Sequence, residues 1–94
     1  LEAGRASETV SLRTLDEIWY VLSGRGNMWL EGANEPKELR PGIILSVPRG
    51  TVFQFRAQNE PLVIFGVTAP PYPIGSRDEV EVHRGRGPWL PSMT

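Results

Sequence analysis

The chain has no cysteine. Disulfides, thiol nucleophiles and every thiolate metal site are therefore excluded. It has a single histidine, His83, so no metal centre built from several histidines of one chain can form. An excess of positive charge is also missing. Ten Lys and Arg stand against eleven Asp and Glu, a net charge of −1. Neutralising many phosphates requires such an excess, so no nucleic-acid partner is expected. No apolar run approaches the roughly 18 residues that cross a bilayer as a helix, so no membrane partner is expected either. No charged-then-apolar leader is visible, and a cytoplasmic location is expected. Lysine is nearly absent: nine of the ten basic residues are Arg, and Lys37 is the exception. That bias fits a GC-rich bacterial genome and points to no function. Helical periodicity with caps is missing throughout.

What is present is the composition of one small globular domain. The 94 residues are 39% hydrophobic and 22% charged, with ten glycines and nine prolines. So many turn formers suit short strands joined by turns. One domain over residues 1–94 is expected, with a core of about 9–68 and a Pro/Gly-rich C-terminal arm of about 69–94. Leu1–Ser7 is small and polar and reads as a loose end. Thr9–Leu12 reads as a short strand. Glu17–Ser23 (EIWYVLS) is the strongest strand signal, apolar on both faces. Gly24-Arg25-Gly26 reads as a tight hairpin turn, with Asn27–Glu31 returning. Ile43–Val47 and Leu62–Thr68 read as buried strands, the latter with Gly66 marking a bulge or a close approach. Thr51–Arg56 alternates, with Phe53 and Phe55 on one face and Gln54 and Arg56 on the other. Glu79–His83 reads as a last short strand. These segments predict an all-β barrel or sandwich.

Two segments carry a family resemblance. EIWYVLSGRG (Glu17–Gly26) resembles the end of the first cupin motif: a Glu, six residues, then Gly24. Pro41-Gly42, five residues, Pro48-Arg49-Gly50 and Thr51-Val52-Phe53 are similar to the second. The run Pro70-Pro71-Tyr72-Pro73 to Pro88-Trp89 resembles the ending of one bacterial cupin group. The resemblance implies a cupin-type double-stranded β-helix, a small jelly-roll barrel. It also implies a metal held by a His-x-His pair and a Glu from the first motif and a His from the second. Here the pair positions fall on Val10 and Leu12 with a four-residue gap, or on Ser11 and Arg13 with a three-residue gap. The second-motif position is Phe53. Of the four ligands only Glu17 remains, and one carboxylate does not hold a transition metal against water. No metal and no cofactor are expected.

Glu17 is then the candidate functional group. It reads either as a base or ligand anchor inside the barrel, or as a strand-end carboxylate in an ion pair. Arg13, Trp19, Met28, Phe53 and Phe55 are candidate barrel-lining residues. Aromatic side chains of this kind line apolar pockets, though they also build ordinary cores. Arg49 and Arg56 read as surface groups, His83 as an exposed terminal residue, and Trp89 as an anchor for the tail. The expected function is binding of a small organic molecule in a metal-free barrel. The alternatives are a metal-independent isomerase or cyclase with Glu17 as acid or base, and a structural dimeric accessory protein. A homodimer is expected in any case. A barrel buries one face of Glu17–Ser23, and a 94-residue chain has little left to cover the other.

Overall fold

The computed structural model describes residues 1–69 and 79–91. It contains eight strands: β1 (Val10–Leu12), β2 (Asp16–Ser23), β3 (Gly26–Leu30), β4 (Lys37–Leu39), β5 (Ile44–Val47), β6 (Phe53–Ala57), β7 (Val63–Ala69) and β8 (Val80–Val82). No helix occurs among the described residues. Two antiparallel sheets result, in the orders β4-β3-β6-β1-β8 and β5-β2-β7. The Pro70-Pro71-Tyr72-Pro73 stretch of the arm lies outside the described residues.

Strand β2 shows how sequence becomes barrel. Its side chains alternate, with Trp19 and Val21 buried and Ile18, Tyr20 and Leu22 exposed. The buried row meets Met28, Leu39, Leu45, Val47, Phe53, Ala57 and Leu62 from the other strands. Trp19 sits at the centre of this core. Its ring meets Phe53 edge-to-face at 5.7 Å and Phe55 at 4.8 Å. Each such pair contributes about 0.5–1.5 kcal/mol beyond the area it buries.

Three expectations are corrected. Gly24–Gly26 is not a hairpin, because β2 and β3 belong to different sheets. The glycines serve close backbone crossing instead. A Cβ on Gly24 would lie 2.0 Å from the Pro61 carbonyl oxygen, and one on Gly26 would lie 2.1 Å from that of Arg56. Only hydrogen fits at either place. Second, Leu1–Ser7 is not loose. It runs antiparallel to the end of β6 through Ser7 N–H to Phe55 C=O (2.8 Å), Ala57 N–H to Arg5 C=O (2.9 Å) and Gly4 N–H to Gln58 C=O (2.7 Å). Its small polar residues concealed backbone pairing, which needs no apolar side chains. Third, Gln54 is buried although it lies opposite the core face, because the C-terminal arm covers it.

Candidate functional site

The first-motif register is settled by β1. Val10 packs against the aromatic core and pairs directly with Phe53 of β6. Leu12, two residues on, shares its face, while Ser11 and Arg13 take the other. The inward positions are thus those of the four-residue gap: Val10, Leu12 and Phe53, with Glu17 the only donor. Val10 and Phe53 lie against the Trp19 cluster. These residues do not fit a transition metal, which needs several N, O or S donors at one point. Among the described residues no three His, Cys, Asp or Glu side chains converge.

Glu17 shares the inward face of β2 with Trp19 and Val21 and is half-buried. The Trp19 indole N–H donates to its Oε1 at 2.5 Å. Indole has no acceptor, so this contact holds the carboxylate in one orientation. The neighbouring strand contributes Gly66, which pairs with Trp19 across β2 and β7. A Cβ there would lie 3.2 Å from Glu17 Oε2. The absence of a side chain therefore leaves Oε2 uncovered from that side. Oε2 has no hydrogen-bond partner among the described residues. Gly66 is thus a close approach, and the irregularity in the β2–β7 ladder falls at Val21/Ser23 instead.

The other sequence candidates separate into two groups. Trp19, Met28 and Phe53 are buried in the core, with Phe55 packed against it. They fill the barrel rather than line an open cavity, and neither of the two clefts described next is bounded by them. Arg13 does not line the barrel. It is half-exposed on the opposite face of β1 and pairs with Glu81 at 3.2 Å. Alternation along β1 places it there once Val10 faces in.

One cleft, of about 820 Å³, lies beside the β3–β4 loop and the start of β5, with Asn27, Asn34, Glu35, Lys37 and Glu38 on its polar side. The other, of about 370 Å³, is bounded by the arm His83–Pro91 with Glu8, Thr9 and Val82. Here the lone histidine is a correction. His83 is largely buried, and its Nε2 lies 2.8 Å from Ser11 Oγ. The pair looks like a nucleophile with its base, but the far side of the ring argues otherwise. Arg86 Nη1 lies 3.4 Å from His83 Nδ1, and a guanidinium only donates. In the tautomer whose Nδ1 accepts from Arg86, the proton is on Nε2 and is donated to Ser11. A base must do the reverse. Ser11 is also buried under the arm, out of reach of a substrate. The cluster is a fastening: Arg86 forms a bidentate ion pair with Glu31, and Thr9 Oγ1 donates to the Arg86 carbonyl at 2.7 Å. Gln54 accepts from Trp89 N–H at 3.2 Å and donates to Trp89 C=O at 2.7 Å. Arg56 lies 4.6 Å over the Trp89 ring. Trp89 thus pins the arm, as its position in the sequence predicts, while Gln54 was missed. The signal available was a Gln between two phenylalanines in Phe53-Gln54-Phe55.

Two acidic groups titrate below their usual range. Backbone hydrogen bonding to Thr14 N–H (2.8 Å), aided by the Thr14 hydroxyl (2.7 Å), lowers the pKa of Glu79. The Arg49 side chain, together with the Arg49 backbone N–H, lowers that of Asp16. Arg49 is therefore an ion-pair member at the strand end rather than a free surface group.

Two packed antiparallel sheets closing on an aromatic core, with one inward carboxylate near the motif strands, define a cupin-type barrel. The comparisons agree. A cupin protein from Bacteroides fragilis is 28% identical, with a TM-score of 0.64 over 72% of this chain and 58% of that one. Ectoine synthase from P. lautus, 18% identical, superposes over 100% of this chain and 64% of its own with a TM-score of 0.70, a likeness of fold alone. The chain belongs to the cupin superfamily. An uncharacterized protein of Aquifex aeolicus (strain VF5) is 34% identical over 67 residues, 71% of this chain and 52% of the relative. The chain thus spans about half the length of the curated relative it matches. No protein-family model matches it.

Proposed function

We propose that this cupin domain binds a small organic molecule without a metal, at the mouth of the barrel where Glu17 sits rather than in its depth. The observation that carries this reading is the state of the Glu17 carboxylate. One oxygen is held by the Trp19 indole, and the other faces the gap left by Gly66 with no partner among the described residues. A half-buried acceptor with space beside it suits a ligand hydroxyl or amine, whose hydrogen bond to a charged group contributes about 1.5–3 kcal/mol. The depth of the barrel is occupied by Trp19, Met28 and Phe53, so the ligand is shallow.

The isomerase or cyclase alternative needs a second polar group acting on the same ligand. Among the described residues Glu17 bonds no side chain other than Trp19, which favours binding over turnover. The test is a thermal-shift screen of polyols, amines and amino alcohols on the parent and on Glu17→Gln. Hits are expected to raise the parent's melting temperature and to lose that effect in the variant. The variant itself is expected to fold within about 1 kcal/mol of the parent. Hits that survive the substitution, or a variant that barely folds, place the site elsewhere.

A further inference from the structure

The cleft of about 370 Å³ bounded by the C-terminal arm is separate from Glu17, which does not line it. Its size falls toward the lower end of the roughly 300–1,000 Å³ of small-molecule sites. Most of its wall is apolar, with Val82, Pro88, Trp89 and Leu90 contributing. Its polar side chains divide by whether they are already engaged. Arg86 is neutralised by Glu31, Thr9 Oγ1 donates to the Arg86 carbonyl, and His83 meets Ser11. Glu8 and Arg84 are left over. Both are exposed, and neither side chain has a hydrogen bond or ion pair among the described residues. Register brings the two together. β1 and β8 pair Val10 with Val82 and Ser11 with Glu81. The bond from His83 N–H to Thr9 C=O, 2.7 Å, continues that register. One step further, Glu8 falls opposite Arg84 at a non-hydrogen-bonded position, where paired side chains stand closest. Gly85, with a φ of +78°, then turns the chain away. An anion and a cation thus share the wall of an apolar cleft without closing on each other.

We infer that this cleft binds a free amino acid with an aromatic or branched apolar side chain. Its carboxylate meets Arg84, its ammonium meets Glu8, and its side chain lies against Trp89 and Pro88. Charge complementarity selects that class. A guanidinium offers a carboxylate two parallel N–H donors, and a glutamate accepts from an ammonium. A simple organic acid would be repelled by Glu8, and a simple amine by Arg84. A peptide terminus brings only one of the two charges. A molecule carrying both, a few ångströms apart, satisfies both residues. The apolar wall then favours an apolar body over a polar one, because covering it removes that surface from water. The cleft is too small for a ligand much larger than one residue. None of these groups touches Glu17, so this site and the barrel mouth stand or fall separately.

The experiment is a titration of the isotope-labelled 94-residue chain with L-phenylalanine, followed by amide and indole chemical shifts. Saturable shifts should gather at Thr9, His83 and the Trp89 indole, with a Kd on the order of 1 mM or tighter for a ligand of this size. Arg84→Gln and Glu8→Gln should each weaken binding by about fivefold or more. Both positions are exposed, so the variants should keep the parent's circular dichroism spectrum. Phenylalaninamide and N-acetylphenylalanine, each lacking one charge, should bind the parent more weakly by a similar factor. Glu17→Gln should bind L-phenylalanine as the parent does. No saturable shift up to about 20 mM overturns the inference, as does binding indifferent to both Arg84→Gln and Glu8→Gln. Equal binding of the two singly charged analogues overturns it too, because apolar contact alone would then hold the ligand. Shifts that gather around Glu17 and Gly66 and vanish in Glu17→Gln overturn it as well and give the amino acid to the barrel mouth.

Discussion

The two sheets share one core but present opposite exteriors. The outer face of β4-β3-β6-β1-β8 carries Ser11, Gln54, Glu81 and Arg56, and its own chain returns to cover part of it. The arm from His83 is tied down at Thr9, Gln54 and Ser11. The outer face of β5-β2-β7 carries aliphatic and aromatic side chains and nothing of the described chain lies over them. The difference teaches how cover is specified. A segment of the same chain already lies close, so fixing it requires directional bonds at defined points. The apolar sheet offers non-directional area instead, with no described segment of the chain fastened over it.

The comparison can be broken at its strongest fastening. Gln54→Leu keeps the volume but leaves Ser7 C=O and both backbone groups of Trp89 without their partner. A loss of about 2–4 kcal/mol in urea unfolding is expected, with increased amide exchange along His83–Pro91. A loss below about 0.5 kcal/mol would show that water replaces the glutamine and that the contacts at Thr9, Ser11, Glu31 and Arg56 hold the arm without it.

A smaller effect comes from acid. The folded-state pKa of Glu79 is depressed, chiefly by the Thr14 backbone N–H, so its contribution is present above the ordinary glutamate value of 4.5 and is lost as pH falls through the folded value. Glu79 stands at the start of β8, the base of the arm. Unfolding midpoints should therefore fall from pH 5 to pH 3, less steeply in Glu79→Gln. Asp16, at the margin of the bare sheet, is depressed by Arg49 in the same direction. Asp16→Asn should lessen the slope in that window as well. Equal slopes in all three proteins would refute both assignments.

The smallest expected effect is none. Beneath both sheets the motif positions hold Val10, Leu12 and Phe53. Growth with added Zn, Mn, Fe and Ni should yield protein with far less than one metal per chain by elemental analysis, and chelators should leave its melting temperature unchanged. A stoichiometric metal would show that Glu17 has partners which the described residues do not include.

The strands were legible because their signals are local. The alternation in Glu17–Ser23 places Trp19 inside and Tyr20 outside, as observed, and Ile43–Val47 and Leu62–Thr68 lie within a residue of β5 and β7. What was illegible depends on segments far apart in sequence. Gln54 is buried by an arm 35 residues away, and His83 by a serine 72 residues away. Nothing near Gly24 announces that it must pass the Pro61 carbonyl rather than turn a hairpin. Glu17 was found through a motif, but its orientation depends on Trp19, and the space beside it on a glycine of another strand.

Gly87 adds a consequence for how the arm came to be where it is. Its φ is +91°, and a Cβ there would meet Gln54 Oε1 at 2.5 Å and Thr9 Oγ1 at 2.7 Å. The backbone therefore passes directly over the two side chains that grip it, and its positive φ strains any residue other than glycine there. Such a seat acts as a gauge of position along the chain. Slide the arm by one residue and Arg86 or Pro88 would have to sit over the same two oxygens in glycine's place. The terminal segment is thus indexed as well as attached, and the cleft it walls has dimensions set by one missing methyl group.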